Sequence, residues 1–227
     1  MYFNEKGYFS KKALFYSLDL LYEDVSKIRN TLKNTYIVVD FDKTLIIKDA
    51  LFKLIFICFL SNGFKYLFLV LNELFKTLGQ IDKIDDLKIW FKYAFSVCIV
   101  KIYDRLVLKK LVKKIFYKYK RDNLLKRLKK LNNLGIKILV ATNNYEYFLK
   151  DLIDELNFEL VANKFFNVND YKKLNKNKIT RIKEYLANDK EILASVSDNI
   201  IDKKMLELVS DEIYKDYKLN LFFSIKT

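Results

Sequence analysis

Apolar residues run along this chain in two rhythms, one helical and one extended. Between residues 10 and 33, Leu14, Leu18, Leu21, Val25, Ile28 and Leu32 recur at three- and four-residue steps behind Ser10, which predicts a capped helix with one packed face. The short β-branched run Tyr36-Ile-Val-Val-Asp40 predicts a buried strand. The next strand-like run is Ile136-Lys-Ile-Leu-Val-Ala-Thr142, entered through Gly135 as a helix stop. Beyond it the pattern alternates: helix near 145–156, strand 159–162, helix near 178–186, strand 192–196, helix near 202–209 and a last strand near 212–214. Strands alternating with helices of this length predict an α/β fold, a Rossmann-like three-layer core built on a parallel sheet covered on both faces.

The interval between the first two strands is helical in pattern throughout, which predicts a helical cap inserted into the core. The expected organisation is an N-terminal helical extension over 1–35, an α/β core from 36–46 and 132–227, and a cap over 47–131. Inside the cap, Leu51-Phe-Lys-Leu-Ile-Phe-Ile-Cys-Phe-Leu60 and Phe64-Lys-Tyr-Leu-Phe-Leu-Val-Leu71 are unusually apolar. Neither reaches the roughly 18 uninterrupted apolar residues of a spanning helix, and Ser61-Asn-Gly63 separates them, so they read as core helices. A cap that touches a membrane or receives a lipid-like substrate is the alternative. Between Lys109 and Lys130 many lysines and arginines face a lone acid, Asp122, with apolar residues between them at helical spacing. That predicts two amphipathic helices with basic, solvated outer faces, and no nucleic-acid partner is expected.

Composition narrows the chemistry. Hydrophobic residues make up 52% of the chain, enough for a packed core and too many for a disordered tail. With no His, imidazole triads and His-based zinc sites are excluded. Four Gly and no Pro leave no Gly-rich phosphate loop or dinucleotide fingerprint. Cys58 and Cys98 sit in apolar runs without metal-ligand spacing and read as free buried thiols of a reducing compartment. The first residues carry no signal-peptide pattern, so a cytoplasmic protein is expected, with peripheral membrane contact through the cap as the alternative. The net charge of +14 fits that alternative, through an anionic membrane surface, as well as it fits a lysine-rich coding bias.

What remains for catalysis is carboxylates, hydroxyls, lysines and a bound metal. The first strand ends on Asp40 and Asp42, followed by Thr44. A carboxylate at the carboxyl end of a strand in such a sheet lies where ligands bind. Asp42, two residues on, points to the same side if the extended geometry persists, and suits proton transfer. Thr142 ends the second strand, with Asn143 after it; Lys178 opens a helix whose apolar positions are Ile179, Ile182, Tyr185 and Leu186, with Lys176 as the alternative lysine. After the run 192–196 come Asp198, Asn199 and Asp202.

These four elements, in this order, resemble the motifs of the haloacid dehalogenase superfamily of phosphohydrolases, and the helical insertion after the first resembles the small cap of its phosphoserine phosphatase-like branch. The resemblance covers about residues 36–214. Lys43, Ser197 and Asn143 stand where that family commonly has Gly or another small residue, which bears on the substrate more than on the chemistry. The resemblance implies a phosphatase acting on a phosphorylated small molecule. Asp40 would be the nucleophile and Asp42 the acid and base. Mg²⁺ would be held by Asp40, the backbone carbonyl of Asp42 and Asp198. Thr142, Asn143 and Lys178 would bind the phosphoryl group, with Asp202 and Asn199 in support. Asp49 is a candidate substrate contact, or else the cap of the helix that follows. The alternative functions are a phosphatase of a lipid-linked phosphate at the membrane surface and a non-catalytic binding protein that keeps the fold. Oligomeric state is not legible.

Overall fold

Thr35–Asp40 forms β1, and all six of its residues are buried. A β-branched and aromatic run with no charge before its last residue is stable only when both faces are covered. The computed structural model describes residues 18–23, 34–77, 84–164, 178–186, 191–197, 205, 208 and 222–224. Its other strands are β2 (Lys137–Tyr145), β3 (Glu159–Asn163), β4 (Glu191–Ser197) and β5 (Phe222–Ser224). They form one sheet in the order β3-β2-β1-β4-β5, parallel at every pairing. The chain winds outward from β1 to β3, then crosses back to place β4 on the other side of β1. The strand order therefore reverses at β1, and the crevice at its carboxyl end is where such sheets bind ligands.

Alternate residues of each strand feed two cores. Ile37 and Val39 join Ile138 and Val140 in one. To it α4 (Asp122–Asn133) contributes Leu124, Leu128 and Leu131, and α5 (Glu146–Glu155) contributes Phe148, Leu152 and Ile153. Tyr36 and Val38 join Leu139 and Ala141 in the other, covered by Ile182 and Leu186 of α6 (Lys178–Leu186). This is the expected three-layer α/β sandwich. Gly135, at φ 99°, ends α4 as expected: its own amide donates to Asn132 and that of Ile136 to Leu131, satisfying carbonyls the helix leaves free.

Between β1 and α4 lie α1 (Ala50–Thr77), α2 (Ile84–Ile102) and α3 (Arg105–Tyr119). The segments leaving and re-entering the core run side by side: Ile46 and Lys120 form an antiparallel bridge, the Ile47 amide donates to the Tyr119 carbonyl (2.9 Å), and that of Arg121 to Leu45 (2.8 Å). Helix α4, which the pattern groups with the insertion, comes after this neck and lies against β2. Helix α3 buries Leu108, Val112, Ile115 and Phe116, and its cations Arg105, Lys109 and Lys113 meet Asp151 and Glu155 of α5.

The apolar runs of α1 depart from the expectation of two core helices. They form one helical element broken in its backbone at Gly63 (φ 49°, ψ −125°). Leu51, Leu54, Cys58, Tyr66 and Val70 are buried, but Phe52, Phe56, Phe59, Phe64, Phe68 and Phe75 are exposed. The cause is geometric: α1 is apolar round most of its circumference, and α2 and α3 together cover only part of it. Of the helix expected over 10–33, residues 18–23 are described and helical, with Leu18 and Leu21 buried and Asp19 paired to Arg127 of α4. The helix expected at 202–209 is described only at Met205 and Leu208, and the strand expected at 212–214 lies outside the described residues; the described strand beside β4 is Phe222–Ser224.

Candidate active site

β1 carries Asp40 to its carboxyl end, opposite Ala141 of β2 and one residue past the Val39–Val196 pair with β4. A wide turn over Phe41–Leu45 follows, closed by the Ile46 amide donating to the Phe41 carbonyl at 3.2 Å. The turn needs a left-handed residue, and Lys43 supplies it at φ 60°. That backbone requirement explains a preference for Gly at this position; a Lys there accepts strain of about 1 kcal/mol. Its carbonyl is held by Arg121 at 2.9 Å. The turn brings Thr44 back over the strand end, where its hydroxyl donates to Asp40 Oδ2 (3.3 Å). The other oxygen of Asp40 accepts from Lys178 Nζ at 3.0 Å, and both partners are buried. Lys178 is thus placed by the first turn of α6, as predicted; Lys176 lies outside the described residues.

Asp42 sits within the turn with both oxygens engaged. Oδ1 accepts the backbone amide of Ala50, the first residue of α1 (2.8 Å), and Oδ2 accepts from Asn144 Nδ2 (2.7 Å). Burial pushes its carboxyl from 3.8 up to about 7, helped by the charges of Asp49 and Asp40; the Ala50 hydrogen bond and the Lys92 charge oppose. The Asn144 amide suits either protonation state. Its Oδ1 is buried with no hydrogen-bond partner among the described residues, so a turned amide would accept from a protonated Asp42. Asp49 caps α1, its Oδ1 accepting the Phe52 amide at 2.8 Å.

Thr142, Asn143 and Asn144 lie where β2 parts from β3. Ala141 pairs with Val161 but Tyr145 with Asn163, so β2 carries extra residues here, a bulge that frees backbone groups and re-aims side chains. Thr142 and Asn144 turn inward and Asn143 outward. The Thr142 hydroxyl accepts the Asn144 amide (3.1 Å) and keeps its own proton to donate. The freed carbonyls are held by cations and amides: Thr142 O by Arg181 (3.0 Å), Asn143 O by Lys92 of α2 (2.9 Å) and by Asn163 Nδ2 (2.8 Å). Arg181 also donates to Asn143 Oδ1 (3.1 Å) and Asn163 Oδ1 (2.5 Å).

The structure therefore brings together Asp40, Asp42, Thr142 and Lys178, while the side chain of Asn143 turns outward to Arg181. Asp198, Asn199 and Asp202 lie outside the described residues; Asp198 follows directly on Ser197, the last residue of β4. Among the described residues no three acidic or Cys side chains converge on one point. Asn144, Arg181 and Lys92 join the site without having been singled out in the sequence, whereas Thr44 was read there with the two carboxylates. Two carried a signal: Asn144 is two residues from Thr142 on a strand, and Arg181 is three from Lys178 on a helix, so each shares a face with its partner. Lys92 carried none, because it arrives from the insertion.

Residues 37–207 match the family model of haloacid dehalogenase-like hydrolases. Among solved structures, the chain is similar to a Bordetella pertussis Tohama I protein of unknown function, at TM-score 0.57 and 11% identity over 86% of this chain and 99% of that one. It is also similar to a phosphoserine phosphohydrolase-like protein from Francisella tularensis subsp. tularensis SCHU S4, at TM-score 0.49 and 20% identity over 76% of this chain and 82% of that one. A substrate-bound phosphoserine phosphatase complex aligns at TM-score 0.47 and 16% identity over 86% of this chain and 94% of that one. No curated protein matches the sequence.

Proposed function

The chain belongs to the haloacid dehalogenase-like hydrolases, and from that premise we propose that it is a Mg²⁺-dependent phosphatase hydrolysing a phosphate monoester through an aspartyl-phosphate on Asp40. The observation that carries this reading is the contrast between two carboxylates two residues apart. Asp40 faces the Lys178 ammonium, whereas Asp42 is desolvated and lifted to about 7. Two neighbouring acids in opposed environments divide nucleophile from proton carrier.

In the first step an Asp40 oxygen attacks phosphorus. The bond to the leaving alcohol breaks, and Asp42 gives its proton to the departing oxygen. In the second, water attacks the acyl phosphate, Asp42 takes the water's proton, and the bond between phosphorus and Asp40 breaks to release phosphate. Thr142 and Lys178 bind the phosphoryl oxygens, and the charge on Lys178 offsets repulsion between two anions. Asn144 and the Ala50 amide hold Asp42 in line, while Arg181 and Lys92 fix the β2 bulge. The donors proposed for a metal, Asp40, the Asp42 carbonyl and Asp198, are all oxygen, which suits a hard cation such as Mg²⁺. Bound there, the cation would neutralise charge on the transferring group.

The test is release of phosphate from an aryl phosphate. Wild-type protein is expected to turn over with Mg²⁺ and to lose activity in excess chelator. Asp40→Asn should be inactive with an unchanged circular dichroism spectrum. Full activity in chelator would remove the metal from the reading.

A further inference from the structure

The stretch Ala50–Phe75 is long and apolar enough to cross a membrane, yet it is packed as if only half of it belonged to the protein. On one side Tyr66 donates its hydroxyl to the Phe95 carbonyl of α2 (3.2 Å), Asn62 reaches Tyr103 (2.8 Å), and the buried Glu73 meets Lys101 (2.5 Å). On the other side stand phenylalanines at helical spacing, Phe52, Phe56 and Phe59 before Gly63 and Phe64, Phe68 and Phe75 after it. Phe64 is 88% exposed, and Phe68 and Phe75 are 71% exposed. Two helical stretches either side of Gly63, each about 20 Å long at 1.5 Å per residue, with an uncovered apolar side present far more hydrophobic surface than isolated surface residues do.

Charge identifies what covers it. Glu73, the one acid of α1, is buried and paired, so the charges α1 shows to solvent are cations: exposed Lys65, next to Phe64 in sequence, and half-exposed Lys53, next to Phe52. At the same end, Lys53 and Lys118 lie over the Tyr119 ring (5.6 and 5.5 Å) and Lys120 over Tyr117 (5.9 Å). Phenylalanines flanked by lysines and tyrosines, on a chain of net charge +14, match the interface of an anionic bilayer, where rings enter the acyl boundary and ammonium groups remain at the headgroups. We propose that the exposed side of α1 docks in the plane of an anionic lipid bilayer. Lying in the plane, rather than crossing, follows from two features. The backbone break at Gly63 would leave polar groups unpaired in lipid, and α2 with Lys92 and Lys101 is packed along the opposite side. The docked helix begins at Ala50, whose amide holds Asp42, so docking sets the mouth of the site at the headgroup layer.

Flotation of the full chain with vesicles tests this. The protein should rise with vesicles of phosphatidylcholine and phosphatidylglycerol and much less with phosphatidylcholine alone, and added salt should weaken the binding. Phe64→Ser/Phe68→Ser/Phe75→Ser, which removes rings that face outward, should lower the floating fraction on the order of tenfold and keep aryl phosphate turnover. Lys53→Glu/Lys65→Glu should abolish the preference for anionic vesicles. Wild-type protein that stays below both vesicle types, or a triple variant that floats as well as wild type, would overturn the inference. So would sedimentation in which wild type self-associates through this side and the triple variant does not, without vesicle binding in either. Because flotation needs no turnover, a protein that floats but does not hydrolyse, or the reverse, separates docking from the proposed chemistry.

Discussion

Burial and the neighbouring Asp49 charge lift Asp42 to about 7, which places its two protonation states within reach of each other at neutral pH. That is what a group needs if it must give a proton in one step and take one in the next. The same shift has a cost in stability. In the unfolded chain Asp42 titrates near 3.8 and in the folded chain near 7, so between those values the native state binds the extra proton. The contribution of Asp42 to stability is therefore greatest below about pH 4, falls as pH rises, and levels off above about pH 7. Asp42→Asn cannot titrate and keeps an oxygen for the Ala50 amide. In metal-free buffer its melting temperature relative to wild type should climb between pH 4 and 7 and stay flat above. A constant difference across that range would mean that Asp42 is not desolvated as described.

At the scale of elements, the site depends on β2 departing from regular pairing. Strands β1 and β4 and helix α6 were legible because each has a strong local pattern: a β-branched run that must be buried on both faces, or apolar residues at three- and four-residue steps behind Lys178. The bulge over 142–145 was not legible, because it arises from how β2 pairs with β3 rather than from anything in its own residues. Asn144 and Arg181 were hidden with it, although Arg181 shares a helix face with Lys178. Arg181 holds the Thr142 carbonyl, Asn143 and Asn163 together, so its removal should misplace the hydroxyl of Thr142 rather than unfold the chain. Arg181→Ala is expected to lower kcat on the order of a hundredfold with a smaller change in KM. Arg181→Lys should recover only part of it, since an ammonium cannot donate to several acceptors in one plane. Unchanged kcat in Arg181→Ala would show that the bulge holds its shape without the guanidinium.

Across the whole molecule, α1 has two parts to play: its first amide fixes Asp42, and its uncovered outer side is the surface proposed to dock on a bilayer. The apolar composition of α1 was plain in the sequence, but which side would be covered was not, because that depends on where α2 and α3 pack against it. Likewise the order of Asp40, Thr142 and Lys178 along the chain was legible while their convergence rested on the sheet, where the reversal of strand order at β1 opens the crevice they share. The central claim, that Asp40 becomes covalently phosphorylated, is tested most directly by acid-quenched single turnover of an aryl phosphate followed by intact-mass and peptide analysis. One added phosphoryl group is expected, mapped to Asp40, transient in wild type and longer-lived in Asp42→Asn because the hydrolytic water then lacks its base. Turnover with no phosphorylated protein at any time, together with near-normal activity in Asp40→Asn, would contradict it.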